Sequence, residues 1–103
     1  MSKNLKMCTL LGCYGNILPE KQRFFCECYY NEDLSLAEIA ENEGLSKQGV
    51  RDAIKRAEEK LLNTEACLKI VEKSKKLKEL ARICRDSNDE THFAKLFEAI
   101  DNL

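Results

Sequence analysis

Apolar residues recur along this chain at spacings of three and four, and their phase shifts wherever a turn-forming cluster intervenes, so the pattern predicts a succession of helices. The first is short, over residues 4–13, with Leu5, Cys8 and Leu11 or Gly12 on one side and Gly15-Asn16 ending it. Pro19 opens the second, because its fixed φ fits a first helical turn and its missing N–H costs nothing there. That helix runs to about Asn31, with Phe24, Phe25, Cys28 and Tyr29 as its apolar stripe and Lys21, Gln22 and Glu32 outward, and Asn31-Glu32-Asp33 breaks it.

The stretch from Ser35 to Arg56 carries the sharpest pattern. Ser35 followed by Glu38 forms a capping box, in which the serine hydroxyl accepts from the backbone N–H of Glu38 and the carboxylate accepts from the N–H of Ser35. A helix therefore starts at about Leu36. Leu36, Ile39 and Ala40 form its apolar stripe, and Gly44 ends it in the left-handed conformation that only glycine adopts without a Cβ penalty. Ser46 is the N-cap of a further helix whose buried side carries Val50, Ala53, Ile54 and Ala57. A turn of two or three residues forces the two helices to cross steeply, and Ala40 is small enough for the contact. This is the pattern of a helix-turn-helix, although an ordinary helical hairpin presents the same signal.

Beyond Ser46 the helical pattern continues past Leu61 and Leu62, weakens at Asn63-Thr64, where a break or kink is predicted, and resumes from about Glu65 to Cys84. In that stretch Leu68, Val71, Leu77, Leu80, Ala81 and Cys84 are apolar with lysines between them. Asp86-Ser87-Asn88-Asp89 reads as a loop, with Ser87 and Glu90 as a second capping box. The last helix must bury Phe93, Leu96, Phe97 and Ile100 against its own chain or a second copy. The expected organisation is a single domain, with a helix-turn-helix core over 1–62 and a C-terminal helical extension over 63–103 that packs on the core or on a dimer partner.

Composition supports the helical assignment. The chain has 103 residues, one Pro, no Trp and no β-branched runs, which fits one all-α domain with a modest core. The net charge of −1 advertises no polyanion partner, but its distribution is uneven. Residues 27–43 hold six acids and no base, residues 69–85 hold seven bases and two acids, and residues 86–103 turn acidic again. Blocks of opposite sign can pair within the fold or across a dimer, or can simply be solvated faces.

Of the six cysteines, Cys8, Cys13, Cys26, Cys28, Cys67 and Cys84, none forms a C-x-x-C pair, and the only histidine is His92, so zinc spacing is absent and no metal or other cofactor is expected. Cys26 and Cys28, two apart on a predicted helix, point in different directions. Cys67 and Cys84 fall at apolar helix positions where a free thiol acts as a small hydrophobe. Reduced cysteines in a cytoplasmic protein follow. Lys3 and Lys6 precede an apolar run ending at Cys13 that mimics a lipoprotein cleavage site, but six residues between Lys6 and Cys13 fall short of the roughly 7–15 a signal peptide needs. No segment approaches the roughly 20 apolar residues of a membrane span, so membrane insertion is not expected.

In a helix-turn-helix the second helix enters the major groove and its N-terminal residues meet base edges. Here Ser46, Lys47, Gln48, Arg51, Asp52 and Lys55 occupy that position. Gln48 can bond an adenine edge in two places, and Arg51 or Lys47 can address guanine N7 and O6. Lys55 and Arg56, with Lys21 and Arg23 of the preceding helix, suit phosphate contacts, which position rather than specify. Lys, Gln and Arg are also what any solvated helix face carries, and the acidic block before the turn repels phosphate, so DNA binding of weak to moderate affinity is expected. Gly49 inside the helix costs about 1 kcal/mol relative to Ala. One His and no paired carboxylate or nucleophile setting leave no catalytic residues to name, and no enzyme is expected. A thiol-based sensor is a remote alternative.

Leu18-Pro19-Glu20-Lys21-Gln22-Arg23, followed by Asp33 through Ala40 and Ile54-Lys55-Arg56-Ala57, resembles region 4 of sigma-70-type factors, which reads the −35 promoter element with a helix-turn-helix. The chain is more closely similar to the YlxM family of small bacterial proteins, through Tyr14-Gly15, Leu18, Lys21-Gln22-Arg23, Tyr29-Tyr30, Asp33-Leu34-Ser35-Leu36, Glu38-Ile39-Ala40, Ser46, Gln48, Val50, Asp52 and Ile54-Lys55-Arg56. That resemblance covers roughly residues 5–85. It implies an all-α, sigma-70 region 4-like helix-turn-helix with additional C-terminal helices, a homodimer held by long helices, and a regulatory link to the signal recognition particle pathway. Lys47 and Gly49 depart from the family's more frequent Arg and Ala, and Glu43 from an apolar position. Two functions of different class follow: a DNA-binding regulator, or a protein-interaction module that docks a signal recognition particle component and keeps the helix-turn-helix as scaffold.

Overall fold

A computed structural model describes residues 4–87 and 89–103, so Lys3 and Asn88, both used above, lie outside the described residues. The chain forms α1 (Leu5–Tyr14), α2 (Glu20–Cys26), α3 (Leu36–Glu43), α4 (Lys47–Leu68), α5 (Ile70–Ser87) and α6 (Glu90–Asp101), with no strand among the described residues. It divides into two compact units, one ending at Leu68 and one starting at Lys69.

In the first unit, Asn4 caps α1 by accepting from the N–H groups of Lys6 and Met7 at 2.9 and 3.4 Å. Its buried stripe is Met7, Leu10, Leu11 and Tyr14, not the Leu5 and Cys8 face expected: Leu5 is 70% exposed. Four side chains larger than cysteine outweigh the alternative face. The chain leaves α1 through a 3₁₀ turn at Gly15–Ile17. Pro19 sits one residue earlier than expected, as the N-cap of α2 with an extended ψ of 145°. The helical path ends at Asn31 as expected, but only its first part, to Cys26, is α. After Cys26 the backbone widens into a π-turn over Glu27–Asn31, closed by the bond from Glu32 N–H to the Glu27 carbonyl at 3.1 Å. Phe24, placed in the apolar stripe, is 43% exposed, while Phe25, Cys26 and Cys28 are buried.

α1, α2 and α3 all pack on α4, whose Val50, Ile54, Ala57 and Leu61 are buried at spacings of four, three and four. α4 runs unbroken through Asn63 and Thr64, where a break was expected. Thr64 returns its hydroxyl to the Lys60 carbonyl at 2.7 Å, which occupies the group that would otherwise compete with the helix. The interruption comes at Lys69, which adopts φ 55°.

The second unit is the pair α5 and α6, and Cys84 is its only buried residue among those described. Asp86 and Ser87, expected in a loop, belong to α5. The cap of α6 is Asp89, whose carboxylate accepts from the Thr91 N–H at 2.9 Å; Ser87 bonds the His92 ring instead, so the second capping box does not form. None of the four large side chains expected to be buried by α6 is enclosed: Phe93 and Leu96 are half-buried, and Phe97 and Ile100 are exposed. Cys67, placed at an apolar position, is exposed as well.

Candidate nucleic-acid interface

The turn between α3 and α4 is built from three local devices. Both bonds of the capping box at Ser35 and Glu38 form, at 3.0 Å each. Gly44 takes φ 65°, ψ 34°, and the N–H groups of Gly44 and Leu45 reach back to the carbonyls of Glu41 and Ala40 at 3.4 and 2.9 Å, a Schellman closure. Ser46 then caps α4 by accepting from the Gly49 N–H at 3.0 Å. Three residues separate the helices, Ile39 and Ala40 are buried at the crossing, and α3 packs on α4.

With Val50, Ile54 and Ala57 buried, helical spacing fixes what the other side of α4 presents. Ser46, Lys47, Gln48, Arg51, Asp52, Lys55 and Arg56 are all exposed. Lys47, Arg51 and Lys55 lie four apart in one stripe, and Gln48, Asp52 and Arg56 form the stripe beside it. The second stripe is partly self-satisfied, since the Gln48 amide donates to the Asp52 carboxylate at 3.0 Å. Ala53, expected in the buried set, is half-buried at the margin. Lys21 and Arg23 are exposed too, but on α2, where they line an open depression with Glu20, Phe24 and Glu27. Arg23 is bridged to Glu27 at 2.9 Å.

Electrostatics divide this surface. Lys47, Arg51, Lys55 and Arg56 face solvent, while α3 exposes Glu38, Glu41 and Glu43 just before the turn. Glu38 is tied into the capping box; Glu41 and Glu43 are exposed, form no ion pair among the described residues, and repel phosphate.

Two tyrosines pin α4 from the N-terminal elements, and neither pairing was anticipated from the sequence. The Tyr14 hydroxyl donates to the Glu65 carboxylate at 2.5 Å, and Tyr30 donates to Glu58. Burial first, then the bond to Glu58, holds Tyr30 protonated well above the ordinary tyrosine range. Beside it Cys26, with no exposed surface, is pushed up to about 12 by burial and by the charges of Glu58 and Glu27. All six cysteines are free, and among the described residues no helix is long and apolar enough to cross a membrane.

The model of the UPF0122 family, described as "Putative helix-turn-helix protein, YlxM / p13 like", matches residues 1–100. A UPF0122 protein of Clostridium kluyveri is 39% identical over 103 residues, covering 100% of this chain and 93% of the relative. One of Halalkalibacterium halodurans is 36% identical over 107 residues, covering 100% of this chain and 98% of the relative. A third, of Desulforamulus reducens, reaches 52% identity over 60 residues, 58% of this chain and 51% of the relative. With its turn, caps and matching relatives in place, the chain belongs to the UPF0122 family of YlxM / p13-like helix-turn-helix proteins.

Proposed function

We propose that this chain is a DNA-binding regulatory protein that reads a duplex with the N-terminal turns of α4. The observation that carries the reading is the exposed ridge of Lys47, Arg51 and Lys55 beside Gln48, held out by the Gly44 turn opposite the buried Val50, Ile54 and Ala57. A side chain at Arg51 reaches a base edge, so Arg51→Ala is expected to weaken binding to a selected duplex by about 1–3 kcal/mol and to relax sequence preference at one position. Fluorescence anisotropy over a salt titration, on duplexes selected from a random pool, measures both. Equal affinity and equal preference for wild type and variant would remove the reading.

The resemblance to the YlxM family further implies a cytoplasmic homodimer acting in the signal recognition particle pathway. The exposed apolar side of α6 supports the dimer. A second reading is favoured by Glu41 and Glu43, which oppose a phosphate backbone: the helix-turn-helix is then a scaffold that docks a basic signal recognition particle component. Direct titration with the purified component, in the absence of nucleic acid, separates the two.

A further inference from the structure

The bases of the α4 ridge share their surface with Asp52, and α3 exposes three glutamates before the turn, so this surface supplies little net positive charge. The chain's densest run of positive charge lies elsewhere. Lys69, just before α5, and Lys73, Lys75, Lys76 and Lys78 in its first half are all exposed, and none of the five forms an ion pair among the described residues. The only acid among residues 69–78 is Glu72.

The second half of α5 is organised differently. Arg82 pairs with Glu79 at 2.5 Å and with Asp86 at 3.4 Å, and Arg85 with Asp86 at 3.4 Å, so its charges are matched in place. In the first half, Lys69 with Lys73, Lys73 with Lys76 and Lys75 with Lys78 stand three or four apart, the spacings at which like charges destabilise a helix. Lys69 and Lys73 also stand at the first turn of α5, where the helix dipole disfavours positive charge. A fold that keeps five unmatched lysines in this position gains from a polyanion that neutralises them.

We propose that Lys69, Lys73, Lys75, Lys76 and Lys78 form a phosphate-backbone contact for duplex DNA, which supplies the sequence-independent part of the binding. The proposal rests on the reading of this chain as a DNA-binding protein, to which it adds the source of affinity. Flexible point charges without an aromatic anchor suit phosphates, whose positions are the same in every sequence; residues 69–85 contain no aromatic side chain. Protein hot spots, by contrast, are built on Trp, Tyr and Arg.

The test replaces Lys73, Lys75, Lys76 and Lys78 together by Gln (K73Q, K75Q, K76Q and K78Q) in the full chain, substitutions that keep helix propensity. Binding to a random-sequence duplex is followed by anisotropy across a salt series, beside Arg51→Ala and Lys47→Ala. The quadruple variant is expected to bind the random duplex at least about 10-fold more weakly at low salt. Its log–log salt slope should fall by about 3.6, since each of the four lost phosphate contacts removes about 0.9, while its ranking of selected over random duplexes stays that of wild type. A slope equal to wild type overturns the proposal and leaves the α4 reading standing. Loss of affinity in the quadruple variant, with Arg51→Ala and Lys47→Ala both silent, supports it and removes the α4 reading instead. A variant that changes sedimentation but not the slope assigns the lysines to the acidic surface of a second copy, and that also overturns it.

Discussion

Cys26 and Tyr30 sit together where the π-turn follows α2, and both hold their protons more tightly than in an unfolded chain. Burial is the main cause for each, with the Glu58 carboxylate adding to both. When the chain unfolds, the thiol returns to its ordinary 9.0 and the phenol to 10.0. Above pH 9, then, the unfolded chain releases protons that the folded chain keeps. The stability these groups contribute is complete below pH 9 and is lost as pH rises through the folded thiol's value of about 12. Urea midpoints should therefore be level between about pH 7 and pH 9 and fall steadily above it, and Tyr30→Phe should flatten the part of the decline above pH 10. A midpoint independent of pH across this range would contradict the assignment. The same burial sets thiol reactivity: near neutral pH a disulfide reagent should label exposed Cys13 and Cys67 first and Cys26 last.

At the scale of elements, the angle between α3 and α4 hangs on Gly44. A Cβ built there would meet nothing within 4 Å, so the cost of Gly44→Ala is the left-handed backbone alone, about 1–2 kcal/mol. On a domain of this size that lowers Tm by about 4–8 °C per kcal/mol, and Gly44→Asn should lose less, because Asn tolerates this conformation. Thermal unfolding followed by circular dichroism would decide it, with an alanine variant as stable as wild type as the contrary result. This turn was legible in the sequence because a capping box, a glycine and a capping serine are signals carried within a dozen residues. The α4 ridge was legible for the same reason, since Val50, Ile54 and Ala57 at helical spacing dictate which side chains remain outside. The end of α4 was not: Lys69 adopts the left-handed conformation without a glycine to announce it, while Asn63-Thr64 looked weaker than it is. Nor were the tyrosine pins, which join residues 28 and 51 apart, nor the Gln48 bond to Asp52 that occupies half of a base-reading amide.

The whole molecule distributes its apolar surface unevenly. Among the described residues every buried one except Cys84 lies in the unit ending at Leu68, whereas α6 and its continuation expose Phe97 at 61%, Ile100 at 45% and Leu103 at 63%. Phe97 and Ile100 stand three residues apart on one side of α6, and Leu103 follows just beyond its end. Contiguous apolar surface of this kind is uncommon on soluble monomers. The closed way to cover it with the chain's own residues is a twofold axis that sets α6 against α6 of a second copy. The proposed dimer also bears on DNA binding. It doubles the ridges and lysine clusters on one particle, and paired helix-turn-helix units read half-sites about one helical turn apart, roughly 34–36 Å. Phe97→Glu places a charge at the centre of the proposed contact, at a side chain that is largely exposed. Sedimentation equilibrium should therefore show a dimer for wild type and a monomer for the variant, with helical content unchanged. Affinity for a duplex bearing two half-sites should drop by about 100-fold or more as the second binding event ceases to be intramolecular, while affinity for a single half-site stays level. A variant that sediments as wild type does would leave the side of α6 without a role in assembly.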